Sequence, residues 1–280
     1  MMATNLELVE RTMMRVLMTG AAGDIGRVLR QRLKGRYDVL RLSDIAAMSP
    51  AGSGEEIVMA DLTDLDQVQA AMTGIDAVIH LGGIAGEDTW DDILNTNIIG
   101  TYHVFEAARR AGARRIVFAS SNHAVGFYRR DRTIDHLAPQ RPDTRYGLSK
   151  AFGEDLASFY VDKHDFDVMC MRIGSFQDEP KDTRQLATWI SHGDMTRLVA
   201  TGLEAKDMGL AVVFGMSRNS RAWWDNRRAY ALGYDPQDNA ENHAARLLAA
   251  DPPEAGAKVA LAFQGGIYAE MEFEGNLDGL

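Results

Sequence analysis

One cysteine, Cys170, leaves the chain no intrachain disulfide. It lies in the apolar run Asp167-Val-Met-Cys-Met-Arg172, which reads as a buried strand holding a small core thiol in a reducing compartment. Proline is scarce, seven in 280 residues, and no repeat or low-complexity tract interrupts the chain. No apolar run approaches the ~20 residues that span a bilayer. The N-terminus carries Glu7 and Glu10 and has no apolar stretch, so it is not a secretory signal. Residues 1–13 read instead as a flexible leader. Basic charge is also in deficit. Thirty Lys and Arg face forty Asp and Glu, a net charge of −10. That balance excludes a nucleic-acid footprint, and it means that an anionic ligand needs a local cation to hold it. The seven histidines are scattered, with no HxxxH or HxH pair, so no metal site is expected. These absences point to a cytoplasmic protein with neither membrane nor nucleic-acid partners.

What is present alternates. Short apolar runs at 15–19, 38–42, 56–60, 77–81, 115–119 and 167–172 read as strands. Between them, helical spacing appears at Ile25, Val28, Leu29 and Leu33, then at Leu65, Val68 and Met72, over 91–111 and over 146–164. Repeated strand–helix–strand units with right-handed crossovers give an α/β fold of Rossmann type, a doubly wound parallel sheet covered on both faces. The predicted core covers 14–174. Residues 175–280 are expected to form a small substrate-binding lobe, interleaved with the core, with one helix at 184–200, a strand at 210–214 and a polar aromatic segment at 223–226.

Thr19-Gly-Ala-Ala-Gly-Asp-Ile-Gly26 places glycines at 20, 23 and 26 between a strand and a helix. Gly20 permits the sharp turn, Gly23 lets the backbone approach a pyrophosphate, and Gly26 lets the helix pack against the sheet. Asp44 ends the second strand. A carboxylate there accepts both ribose hydroxyls of an adenosine and repels a 2′-phosphate, which favours NAD over NADP. Asp61 is placed to meet the adenine, and Gly82 and Gly83 leave room for the cofactor to cross the sheet edge.

Tyr146-Gly-Leu-Ser-Lys150 opens a long helix with Tyr and Lys on one face. The ammonium is expected to bring the phenol, normally near 10, down toward working pH. A strand ending Ala119-Ser-Ser-Asn-His123 supplies hydroxyls nearby. Arg184, in the polar loop Asp178-Glu-Pro-Lys-Asp-Thr-Arg184, reads from spacing alone as a surface arginine.

TGAAGDIG, HLGG, Asn97 in NTNIIG, SSNH and YGLSK together resemble the short-chain dehydrogenase/reductase superfamily, in its extended, sugar-modifying branch. Over nearly the whole chain, the segments His80-Leu-Gly-Gly-Ile84, Phe118-Ala-Ser-Ser-Asn-His123, Arg172-Ile-Gly-Ser175, Trp223-Trp-Asp-Asn226 and Phe263-Gln-Gly-Gly266 look like those of bacterial uronate dehydrogenases. The resemblance implies NAD-dependent oxidation of D-glucuronate or D-galacturonate at C1 to the aldarolactone. It makes Tyr146 the base, tuned by Lys150. Ser121, 25 residues before the tyrosine, becomes the serine of the site, and Asn97 a proton-relay or backbone-satisfying residue. Asp24, Ile25, Leu62, Leu81, Asn97 and Ile173 join the glycines, Asp44, Asp61, Tyr146 and Lys150 around the cofactor. Ala85, Ser121, Asn122, His123, Tyr146 and Ser175 line the sugar, and Arg184 clamps its carboxylate. Ala85 stands where some relatives have serine, which bears on the choice of uronate. A homo-oligomer is expected by analogy. Two other readings compete: a nucleotide-sugar epimerase or dehydratase of the same superfamily, and a non-catalytic NAD-binding redox sensor. The short stretch after the sixth strand and Asn122-His123 in place of Asp-Glu speak against the first. Intact Ser121, Tyr146 and Lys150 speak against the second.

Overall fold

The computed structural model describes residues 12–250 and 258–277. Seven parallel strands form one sheet: β1 (Thr12–Thr19), β2 (Tyr37–Ser43), β3 (Glu55–Ile57), β4 (Ala77–His80), β5 (Arg115–Ser121), β6 (Asp167–Ile173) and, skipping two short strands, β9 (Leu210–Gly215). Their order is β3-β2-β1-β4-β5-β6-β9. The direction of winding reverses between β1 and β4, the position beyond whose strand ends sheets of this kind bind ligands. Helices α1 (Asp24–Arg32) and α7 (His192–Glu204) cover one face, burying Leu29, Leu33, Met195 and Leu198. Helices α2 (Leu65–Met72), α4 (Gly100–Ala111) and α5 (Arg145–His164) cover the other with Val68, Val104, Phe105 and Tyr160. Both faces are shielded, so Val16, Leu17 and Met18 of β1 are all fully buried, the continuous apolar run expected of a central parallel strand.

Several expectations need correction. The leader overlaps β1, since Thr12 already pairs with Tyr37; residues 1–11 lie outside the described residues. The third strand is only Glu55–Ile57, although Val58 still donates to Leu42 O. The helix over 91–111 is continuous but mixed: α3 (Trp90–Asp92), a π-helical stretch Ile93–Ile99, then α4. The widened turn carries Asn97, 2 % exposed. No single helix covers 184–200. Helix α6 (Gln185–Thr188) gives way to β8 (Trp189–Ile190), which pairs with β7 (Ser175–Phe176), and α7 begins afresh at His192. Tertiary pairing overrides the apolar spacing there, and Ser191 caps the new helix by accepting from Asp194 N at 2.9 Å. The strand at 210–214 joins the main sheet beside β6, so the C-terminal part supplies the seventh strand. It continues with α8 (Arg227–Ala231), α9 (Ala244–Ala250), α10 (Lys258–Ala262) and α11 (Ile267–Glu270). Among the described residues no helix is long and apolar enough to cross a membrane.

Beneath the strand ends, Arg172 of β6 and Glu154 of α5, each 2 % exposed, form a two-pronged ion pair at 2.9 and 2.8 Å. Ser120 Oγ donates to the same carboxylate at 2.6 Å. Glu154→Ala leaves a buried guanidinium without its partner and is expected to cost about 3–5 kcal/mol, read as a lowered urea midpoint.

Candidate functional site

Gly20 adopts φ +68°, and a side chain there would collide with the backbone of Leu81 and Gly82; β1 and β4 part around this close approach. Gly23 precedes α1 without a side-chain cap, so the first-turn N–H groups are free of any capping side chain. Gly26 packs its α-carbon against the Gly20–Ala21 backbone. Asp44 braces the loop: its Oδ2 accepts from Ala22 N at 2.9 Å and its Oδ1 from Ala46 N at 3.0 Å. Asp24 is turned outward and paired with Arg27, while Ile25 is partly buried. Asp61 folds onto its own turn, accepting from Thr63 N and Oγ1 at 2.8 Å. Leu62 packs toward Gly82, whose N–H donates to Thr19 Oγ1 at 3.2 Å. Leu81 N donates to Thr19 O at 3.3 Å, closing the β1–β4 junction. Under this turn His80 contacts Thr19 and Thr101; burial lowers its pKa to about 3, so it is neutral.

Helix α5 carries Tyr146 and Lys150. Thr144 caps it, and Glu87 Oε2 accepts from Tyr146 N at 2.9 Å. Glu87 Oε1 also pairs with Arg145 at 2.7 Å, and Arg145 reaches on to Glu272. The Lys150 ammonium lies 5.5 Å from the centre of the Tyr146 ring and 5.3 Å from that of Phe118. It has no ion-pair partner among the described residues, and a side chain on Gly83 would approach it to 4.0 Å. Burial lowers Lys150 to about 8. The Tyr146 phenol behaves differently from expectation. Burial raises it to about 12, opposed by a hydrogen bond with Ser121. The lysine stands over the ring, and in the protein alone burial, not the ammonium, sets the direction of the phenol's shift. The two serines of β5 separate cleanly. Ser120 serves Glu154, while Ser121 lies beside the phenol and accepts from His123 N at 3.2 Å. Asn97 Oδ1 accepts from Ile84 N at 2.7 Å, and its Nδ2 donates to Ile84 O at 3.0 Å and Ser149 Oγ at 3.1 Å. Its side chain therefore satisfies backbone and a neighbouring hydroxyl.

Past β5 the site becomes cationic. With its amide oriented to satisfy both ends, Asn122 donates to Ile173 O at 3.0 Å and accepts from Arg184 Nη2 at 3.1 Å. Arg184 also donates to Gln264 O, through Nε at 3.2 Å and Nη2 at 2.6 Å, and to Ser175 Oγ at 3.4 Å. Ser175 in turn contacts Thr188 Oγ1 at 2.9 Å. Among the described residues, every group that Arg184 hydrogen-bonds is neutral. Burial, then the neighbouring Arg130, lowers it to about 10. Ala85 lies exposed in the loop after β4 and offers only a methyl group.

Three contributors escaped sequence reading. Tyr268, on α11, stacks on the His123 ring at 4.1 Å and roofs the tyrosine side of the site. Asp143 accepts from or bridges to His123 Nδ1 at 2.8 Å. Its carboxylate lies against Gly126, Gly147 and Gly265, and a methyl group on any of these would run into it or into the adjoining His123 backbone. Gln264 supplies the carbonyl that Arg184 bonds. Each comes from a loop or a late segment without periodicity; Asp143 and Tyr268 carry no local signal, and the resemblance that marks Phe263-Gln-Gly-Gly266 gives Gln264 no role.

The family model for the NAD dependent epimerase/dehydratase family matches residues 16–211. The chain is 48% identical to the uronate dehydrogenase of Pseudomonas putida over 91% of this chain and 95% of that protein. It is 44% identical to the uronate dehydrogenase of Agrobacterium fabrum, over 92% and 97%. Among solved structures, a mutant uronate dehydrogenase from Agrobacterium tumefaciens complexed with NAD superposes with a TM-score of 0.89 at 44% identity, covering 92% of this chain and 98% of that one.

Proposed function

This chain belongs to the NAD dependent epimerase/dehydratase family and stands among its uronate dehydrogenases, and from that premise we propose that it oxidises D-glucuronate or D-galacturonate at C1 to the aldarolactone. It is an NAD-dependent oxidoreductase whose substrate is a small sugar acid. The observation that carries the finer reading is Arg184, a cation bonded only to neutral groups and linked through Asn122 to the strand end that bears Ser121.

The dinucleotide fits the residues present. The α1 N-terminus, the close backbones at Gly20 and Gly82, the Asp44 carboxylate and the unpaired Lys150 ammonium suit phosphates, adenosine ribose and nicotinamide ribose in turn. Bound NAD would supply the hydride acceptor and a positive ring charge. Tyr146 takes the anomeric proton as C1 is oxidised, and Ser121 holds that oxygen in line by hydrogen bonding. A nearby positive charge favours the phenolate, opposing the upward push of burial. Arg184 grips the carboxylate with its planar fork, and Asn122, His123 and Ser175 meet the ring hydroxyls. Tyr268 shields the reacting end from water. Residues 175–280 act as the substrate-binding part, supplying Ser175, Arg184 and Tyr268. The enzyme works in the cytoplasm as a homo-oligomer; Tyr102 of α4 and Phe159 of α5, exposed by 43% and 52%, are apolar surface suited to self-association.

Initial rates with NAD and each uronate, read as NADH absorbance, test the reaction. Reduction of NAD supports it. Silence with both uronates beside turnover of a UDP-sugar overturns it in favour of the epimerase reading. Cofactor choice has its own test. Asp44→Ala removes the acceptor for the ribose hydroxyls, so KM for NAD is expected to rise about tenfold or more and NADP to become usable. Paired rates with the two cofactors check this.

A further inference from the structure

Phe263-Gln-Gly-Gly266 crosses the cationic end of the site, and the reaction as described gives its glutamine side chain no role. Gln264 is fully buried. Its Nε2 donates to Arg129 O at 3.1 Å and Arg132 O at 2.9 Å, and its Oε1 accepts from Trp224 Nε1 at 2.8 Å. Its main-chain N–H donates to Tyr128 O at 2.8 Å. Those four bonds hold the residue from three directions, and its carbonyl then receives the two bonds from Arg184, at 3.2 and 2.6 Å. The neighbouring Arg130 is held the same way, by Phe263 O at 3.0 Å and Ala260 O at 2.6 Å. Among the described residues neither arginine has an ion-pair partner.

We infer that Gln264 is a positioning residue for carboxylate recognition: its carboxamide locks the 263–266 strip so that its own carbonyl aims the Arg184 guanidinium while leaving that cation's charge for the substrate. The inference rests on the uronate reading. Glutamine meets two demands that glutamate fails. A carboxylate has no N–H to offer the Arg129 and Arg132 carbonyls. Where it ionises, it also adds an anion to the residue whose carbonyl meets Arg184, in competition with the sugar acid.

The test compares wild type, Gln264→Glu and Trp224→Phe in steady-state kinetics with D-galacturonate and NAD. Gln264→Glu is expected to raise KM for galacturonate about tenfold or more, with kcat within about threefold and KM for NAD unchanged. Trp224→Phe frees only Oε1 and keeps a ring to stack on Phe214, where the centroids lie 4.9 Å apart; it shifts the same KM by about threefold. The inference is overturned if KM for galacturonate stays put in both variants. It is equally overturned if KM for NAD rises in step, as it does for a residue that only supports the fold. Should Gln264→Glu fail to fold, the Trp224→Phe split between the two KM values decides. A wild type inert toward both uronates marks failure of the reaction assignment instead.

Discussion

Tyr146→Phe is expected to lower kcat by about a thousandfold while leaving NAD affinity within about threefold. The substitution removes one oxygen and little else. Helix α5 keeps its Thr144 cap, and the backbone bond from residue 146 to Glu87 does not involve the ring. The phenyl ring can retain the edge contact with His123, whose centroid is 6.0 Å away. What disappears is the group proposed to accept the anomeric proton. The pH dependence separates this from a folding defect. Because burial raises the phenol to about 12, its base form grows with every step upward in pH. Lys150, lowered to about 8 by the same burial, loses its charge as pH rises through that value. The wild-type kcat/KM profile is therefore expected to climb toward about pH 8 and bend above it, while the phenylalanine variant shows no climbing limb. Calorimetric titration with NAD and rate profiles across that range provide the check. Near-normal turnover in the variant removes Tyr146 from the role of base.

The second large effect is on substrate affinity. Arg184→Ala is expected to raise KM for galacturonate about a hundredfold or more, since losing one partner of a buried, hydrogen-bonded charge pair costs about 2–5 kcal/mol. KM for NAD should not move, because the guanidinium contacts Asn122 and Ser175, just past the ends of β5 and β6, and Gln264; those strands lie two and three places along the sheet from β1 and its glycine turn. Arg184→Lys restores a point charge without the planar fork, so its KM should fall between the two. Saturation curves for all three proteins test the claim; a KM within twofold of wild type in Arg184→Ala ends it.

The first half of the fold was readable because strand-forming runs and helical spacing agree with the parallel sheet they build. The glycine turn, Asp44 and the Tyr146–Lys150 pair were readable for a related reason: each lies on, or at the end of, a regular element whose direction fixes where it points. Reading failed where distant contacts decide the structure. Nothing local breaks 184–200 into α6, β8 and α7; pairing of Trp189-Ile190 with Ser175-Phe176 does. Asp143, Tyr268 and Gln264 reach the site only through the folded chain. The lowering of the Tyr146 phenol expected from Lys150 is outweighed by burial in the protein alone, because side-chain spacing shows proximity but not desolvation.

The three glycines around Asp143 carry a consequence for how this chain can vary. Positions 126, 147 and 265 bear no functional group, yet enlarging any of them pushes on the carboxylate or backbone that holds His123 in place. A saturation library scored for turnover should therefore find them as unforgiving as Tyr146. The outline of the sugar pocket would then appear as blanks in a tolerance map, at sites where only hydrogen is admitted.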